Sequence, residues 1–67
     1  KEIVGYFPSG VLKADGLRAI GRTAEESTGI TKHQFSAMRI ELKNRGWIDQ
    51  DKEGRWFRTS VAEEFVD

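Results

Sequence analysis

Thr28-Gly29-Ile30-Thr31-Lys32-His33-Gln34-Phe35-Ser36-Ala37-Met38-Arg39-Ile40-Glu41-Leu42-Lys43-Asn44-Arg45-Gly46 is the stretch that decides the fold. Thr31 is a hydroxyl-bearing N-cap, and Gln34 three residues later has capping-box spacing, in which each side chain satisfies an orphan backbone N–H at a helix start. Phe35, Met38 and Leu42 recur at three- and four-residue intervals, which predicts a helix with all three facing a core. Gly46 ends it, and Lys43 and Arg45 suit the negative end of the helix dipole. The pattern therefore predicts one helix over Thr31 to Arg45. Gly29 can take the left-handed conformation that closes a preceding helix, so Thr28-Gly29-Ile30 reads as a turn between two helices.

Before that turn, Leu12, Leu17, Ile20 and Ala24 have helical spacing from about Val11, and Asp15 is the expected cap of a helix reaching about Ser27. Lys1 to Phe7 reads as a short first helix, ended by the breaker cluster Pro8-Ser9-Gly10. After Gly46, Trp47 to Gln50 and Arg55 to Thr59 are strand-like runs around the polar turn Asp51-Lys52-Glu53-Gly54, and they form a hairpin. A loop of two or four residues would put Ile48 and Phe57 on one face and Trp47 and Trp56 on the other, leaving at least one tryptophan partly exposed. Ser60 and Glu63 repeat the capping-box spacing and open a last helix through Val61 and Phe65.

The chain has 67 residues, 37% hydrophobic and 33% charged, without cysteine, so residues 1–67 read as one small domain whose stability comes from packing rather than cross-links. Beginning at Lys1 without methionine, it reads as a piece excised from a longer protein. A single histidine builds no metal cage, so no metal or other cofactor is expected. No apolar run approaches a membrane span and no secretory leader is visible; no membrane contact is expected, and a cytoplasmic location is. Eleven basic and eleven acidic residues cancel overall. The cancellation is uneven: residues 31–46 carry Lys32, Arg39, Lys43 and Arg45 against Glu41, a surplus of three positive charges, whereas the tail from Ser60 carries only Glu63, Glu64 and Asp67. The positive excess therefore sits on the helix with the clearest signals.

The order helix, Thr28-Gly29-Ile30-Thr31 turn, helix ending Glu41-Leu42-Lys43-Asn44-Arg45-Gly46, then the hairpin Trp47 to Thr59 resembles the winged helix-turn-helix superfamily over about Asp15 to Thr59. The resemblance implies an α+β, mainly α fold of three to four short helices with a two-stranded β-hairpin wing. It also implies that the helix after Thr31 enters the major groove of duplex DNA while the wing touches the neighbouring backbone or minor groove, as in transcription regulators and replication proteins.

Placed on that frame, Thr31, Lys32, His33, Gln34, Ser36, Ala37, Ile40 and Lys43 are the candidate DNA-binding residues of the helix. Lys32 would neutralise phosphate, Gln34 could bond adenine in bidentate fashion, small Ser36 and Ala37 permit close approach, and Ala37 or Ile40 could touch a thymine methyl. His33 fits either a solvated surface position or a phosphate or base contact. In the wing, Lys52, Arg55 and Arg58 could reach phosphates, opposed by Asp49, Asp51 and Glu53. The tryptophans are expected to pack in core and rim rather than to form a stacking platform.

Gly16-Leu17-Arg18-Ala19-Ile20-Gly21-Arg22-Thr23 nearly spells a phosphate-binding loop, with arginine where lysine belongs. No parallel sheet can be built around it, and the segment is explained as helix. No nucleophile and base can be paired, so neither catalysis nor a small-molecule substrate is expected. The alternative to DNA binding is a winged-helix protein-interaction module of a larger assembly, consistent with zero net charge, an exposed Ile40 and the acidic tail.

Overall fold

The computed structural model describes residues 3–63, the side chain of Glu63 excepted, and shows a mainly helical α+β fold. A 3-10 turn, Ile3–Tyr6, leads through a second, Val11–Lys13, to the helices α1 (Leu17–Thr28) and α2 (Lys32–Asn44). The antiparallel strands β1 (Ile48–Gln50) and β2 (Trp56–Arg58) follow, then α3 (Ser60–Glu63). The core is Val4, Phe7, Ile20, Ala24, Phe35, Ile48, Trp56 and Ala62. Phe7 stands at its centre, stacked on Phe35 with ring centroids 6.0 Å apart and meeting Trp56 edge-on at 6.4 Å.

The turn between α1 and α2 forms as the sequence predicts. Gly29 adopts φ 78° and its N–H donates to the Glu25 carbonyl at 2.8 Å. Thr31 caps α2: its hydroxyl accepts from Gln34 N–H at 3.1 Å and its own N–H donates to Gln34 Oε1 at 2.9 Å. Where α1 and α2 meet, a Cβ on Gly21 would stand 3.2 Å from the Phe35 ring, so the missing side chain is what lets the two helices approach there.

Four expectations are corrected. First, α1 begins at Leu17 rather than near Val11, and Leu12 is 99% exposed instead of joining an apolar stripe. Asp15 does not cap α1; its backbone exchanges hydrogen bonds with Trp56, N–H to O at 3.1 Å and O from N–H at 2.7 Å. That pairing needs extended backbone at residue 15, so the helix must start after it.

Second, Met38 is 38% exposed and Leu42 only half-buried, while Phe35 at 4% is the one buried residue of α2. The inward row runs Phe35, Arg39, Leu42. The Arg39 guanidinium lies 5.3 Å from the Trp56 ring centroid, so a side chain counted as polar covers an aromatic of the core.

Third, the hairpin faces are exchanged. Ile48 stands opposite Arg58, Asp49 opposite Phe57 and Gln50 opposite Trp56, so Ile48 and Trp56 share the buried face and Phe57 is only half-buried. The loop has three residues, Lys52-Glu53-Gly54. It is closed by Asp51 N–H to Arg55 O at 2.8 Å and Gly54 N–H to Asp51 O at 3.0 Å, with Gly54 at φ 84°. An odd loop reverses the parity that two or four residues would set. Trp47 remains half-buried, as one tryptophan was expected to.

Fourth, α3 starts with Ser60 already inside the helix, next to Thr59, whose hydroxyl donates to the Gly46 carbonyl at 2.6 Å. The expected Glu63 side-chain partner and the continuation through Phe65 lie outside the described residues and side chains.

Residues 8–15 cross the outer edge of β2. Arg58 N–H donates to Pro8 O at 2.7 Å, Gly10 N–H donates to Arg58 O at 3.3 Å, and the Asp15–Trp56 pair completes the strap. Gly16, the single residue between Asp15 and Leu17, therefore fixes where α1 starts relative to the hairpin.

Candidate nucleic-acid interface

The N-cap Thr31 and, on α2, Lys32, His33, Gln34, Ser36, Ala37, Ile40 and Lys43 are all exposed. Lys32 and His33 form its first turn beside the cap, where N–H groups and the helix dipole favour an anion. Neither has an acidic partner among the described residues. Ser36, Ala37 and Ile40 continue the face, with Ile40 half exposed at 51%.

Gln34 is constrained in a way its side-chain chemistry does not announce. Oε1 is occupied by the Thr31 N–H, so bidentate pairing with adenine would require breaking the cap, at about 1 kcal/mol. Nε2 remains able to donate.

Of the other predicted cations, Lys43 and Arg55 are neutralised within the fold. Lys43 Nζ lies 3.3 Å from Asp49, which joins the far end of α2 to β1. Arg55 pairs with Asp51 at 3.1 Å and with Glu53 at 3.2 Å. Asp51 itself is 9% exposed, held by the backbone N–H groups of Glu53 and Arg55, both at 2.9 Å. Burial acts to raise its pKa, but those two N–H groups and the Arg55 side chain bring the carboxyl below the ordinary aspartate value. Asp49 is also lowered, first by the Gln50 N–H at 2.8 Å and then by Lys43. Both carboxylates are thus held ionised, which keeps the hairpin electrically balanced.

Arg58 stands across from Ile48 on the inner side of the hairpin, half-buried with Nε shut from solvent, and not on an outward phosphate-reaching face. Lys52, at the loop tip, is exposed and has no ion pair among the described residues.

Two basic residues absent from the sequence-level set adjoin the α2 face. Arg18 and Arg22, exposed on α1, line an open groove of about 540 Å³ with Gly21, Glu25, Lys32 and Ser36. Their spacing of four residues on a helix was visible in the sequence, but not that this face of α1 lies beside Lys32 and Ser36. No group of three or more metal-ligating side chains assembles among the described residues, and no described helix is long and apolar enough to cross a membrane. Comparison of the chain with protein-family models, curated proteins and solved structures gave no match.

Proposed function

We propose that this domain is a non-catalytic winged-helix module that binds double-stranded DNA in the cytoplasm, with α2 laid in the major groove. The observation that carries the reading is the exposed face Lys32, His33, Ser36, Ala37 and Ile40, which begins at a capped helix N-terminus and adjoins the basic groove on α1. Phosphate neutralisation by Lys32 and its neighbours sets the register, and Ser36, Ala37 and the free amide of Gln34 sample base edges. Because Arg55 is paired within the hairpin and Arg58 stands on its inner side, the wing contributes chiefly through Lys52.

Salt-dependent binding to random and mixed-sequence duplexes tests the reading. Lys32→Ala should weaken binding to every sequence and lower the salt slope by about one unit, whereas Gln34→Ala should mainly relax sequence preference. Equal, sequence-independent losses would reduce Gln34 to a positioning residue.

A second reading, a protein-interaction module, rests on a different observation. Ile3, Val4, Met38, Leu42 and Trp47 line an apolar groove of about 410 Å³ on another side of α2, and Met38 is open to solvent there. Absence of any salt-dependent affinity for duplex DNA favours that reading.

A further inference from the structure

We propose that the groove between α1 and α2 is a backbone-phosphate clamp in which Arg18 and Arg22 on α1 act together with Lys32 and the Ser36 hydroxyl on α2. The proposal rests on the DNA-binding reading and adds a second helix to the contact surface.

Arg18 and Arg22 stand one turn apart on the exposed side of α1, with Cβ atoms about 5–6 Å apart, and like charges at that spacing destabilise a helix. Lys32 brings a third positive charge to the same groove from the start of α2. Elsewhere among the described residues Lys43 is answered by Asp49, Arg45 by Glu41, and Arg55 by Asp51 and Glu53, while Lys13 and Lys52 are exposed singly without an ion pair. Arg18, Arg22 and Lys32 have no carboxylate within 4 Å among the described residues.

Three cations without an ion pair, gathered around one groove, leave a positive field for an external anion to complete. Glu25 is the groove's one carboxylate, close to Gly21, and it reduces the surplus to two positive charges. The floor is fixed by the Gly21–Phe35 approach, so the cations are carried on two helices locked against each other. Guanidinium groups bind phosphate through paired N–H donors, which suits Arg18 and Arg22 to this task. Ser36 belongs both to the groove and to the α2 face, so a strand gripped here runs on beside the residues proposed to read bases.

The test measures binding of the complete chain to a 20-base-pair fluorescent duplex from 50 mM to 1 M salt, for the parent, Arg18→Gln with Arg22→Gln, Glu25→Gln and Lys52→Gln. Glutamine keeps the helix propensity of arginine. Loss of two phosphate contacts should lower the salt slope by about two units, which is about 200-fold in affinity at 50 mM salt if the curves meet at 1 M. Glu25→Gln should tighten binding at low salt, because it removes the groove's only opposing charge. Circular dichroism should show the double variant folded and melting no lower than the parent, since a repulsive pair has been removed.

If the parent binds salt-dependently and the double variant follows it with the same slope, the clamp is wrong and the DNA reading stands on α2 alone. Unchanged or weakened binding by Glu25→Gln also overturns the clamp. If the parent itself shows no salt-dependent affinity for duplex, the DNA reading fails and the clamp falls with it.

Discussion

The hairpin register can be tested by comparing Trp56→Ala with Phe57→Ala, two neighbours on one strand that point to opposite faces. Trp56 is 5% exposed and meets Phe7 edge-on at 6.4 Å, with the Arg39 guanidinium over its ring. Truncation of such a residue costs about 3–5 kcal/mol through lost transfer and cavity terms. Loss of the aromatic pair accounts for about 0.5–1.5 kcal/mol within that range. Phe57, half-buried on the outer face beside Asp49, should cost about 1–2 kcal/mol, roughly in proportion to the area it covers. At about 0.05–0.15 kcal/mol per residue, a chain of 67 residues has roughly 3–10 kcal/mol of stability in total. Trp56→Ala should therefore bring the domain close to unfolding without denaturant, while Phe57→Ala should remain folded with a lowered urea midpoint. Urea titration followed by far-ultraviolet circular dichroism serves both variants and does not depend on the tryptophan removed. A larger loss from Phe57→Ala than from Trp56→Ala would refute the three-residue loop and restore the even-loop parity.

Thr31→Ala removes the hydroxyl that accepts from Gln34 and should cost about 1 kcal/mol in chemical denaturation, with helix content otherwise unchanged. Met38→Ala, at a residue 38% exposed, should cost less than about 1.5 kcal/mol, well short of a core truncation; a loss above about 3 kcal/mol would put Met38 inside the core after all. Asp49 has its folded pKa depressed, so its ionised form contributes stability above the unfolded aspartate value, and that contribution is lost as pH falls through the folded one. Thermal melts should therefore fall below about pH 4, and Asp49→Asn should flatten that fall; identical acid profiles would show that the Gln50 N–H and Lys43 do not hold the carboxylate as described.

What could be read from the sequence was what local chemistry decides. The Thr31–Gln34 box, the Gly29 closure and the span of α2 depend on residues within four positions of each other, and the structure reproduces them. The hairpin faces depend on the count of loop residues, and Asp51-Lys52-Glu53-Gly54 has turn-forming chemistry whether two, three or four of them leave the ladder. Asp51 settles the count by folding its carboxylate onto the N–H groups of Glu53 and Arg55. The inward row of α2 was misjudged because a helical wheel assigns Arg39 to water, whereas its guanidinium covers Trp56, a neighbour 17 positions away. The charge pattern of the candidate interface was the least legible part. That Lys43 is answered by Asp49, while Arg18 and Arg22 are left unanswered beside Lys32, follows only from bringing distant segments together.

The strap of residues 8–15 across β2 also bears on how this hairpin meets other molecules. An uncovered strand edge is a template on which a foreign strand can add, in recruitment or in aggregation. One edge of β2 is taken by β1 and the other by the Pro8, Gly10 and Asp15 hydrogen bonds. The outer edge of β1 is three residues long and carries the Lys43–Asp49 ion pair beside it, which discourages addition there as well. Half-buried Trp47 and Phe57 can therefore lie on the outer face of the hairpin without the hairpin seeding intermolecular sheets. A partner that meets the hairpin must recognise its side chains, because the hairpin offers little backbone for it to extend.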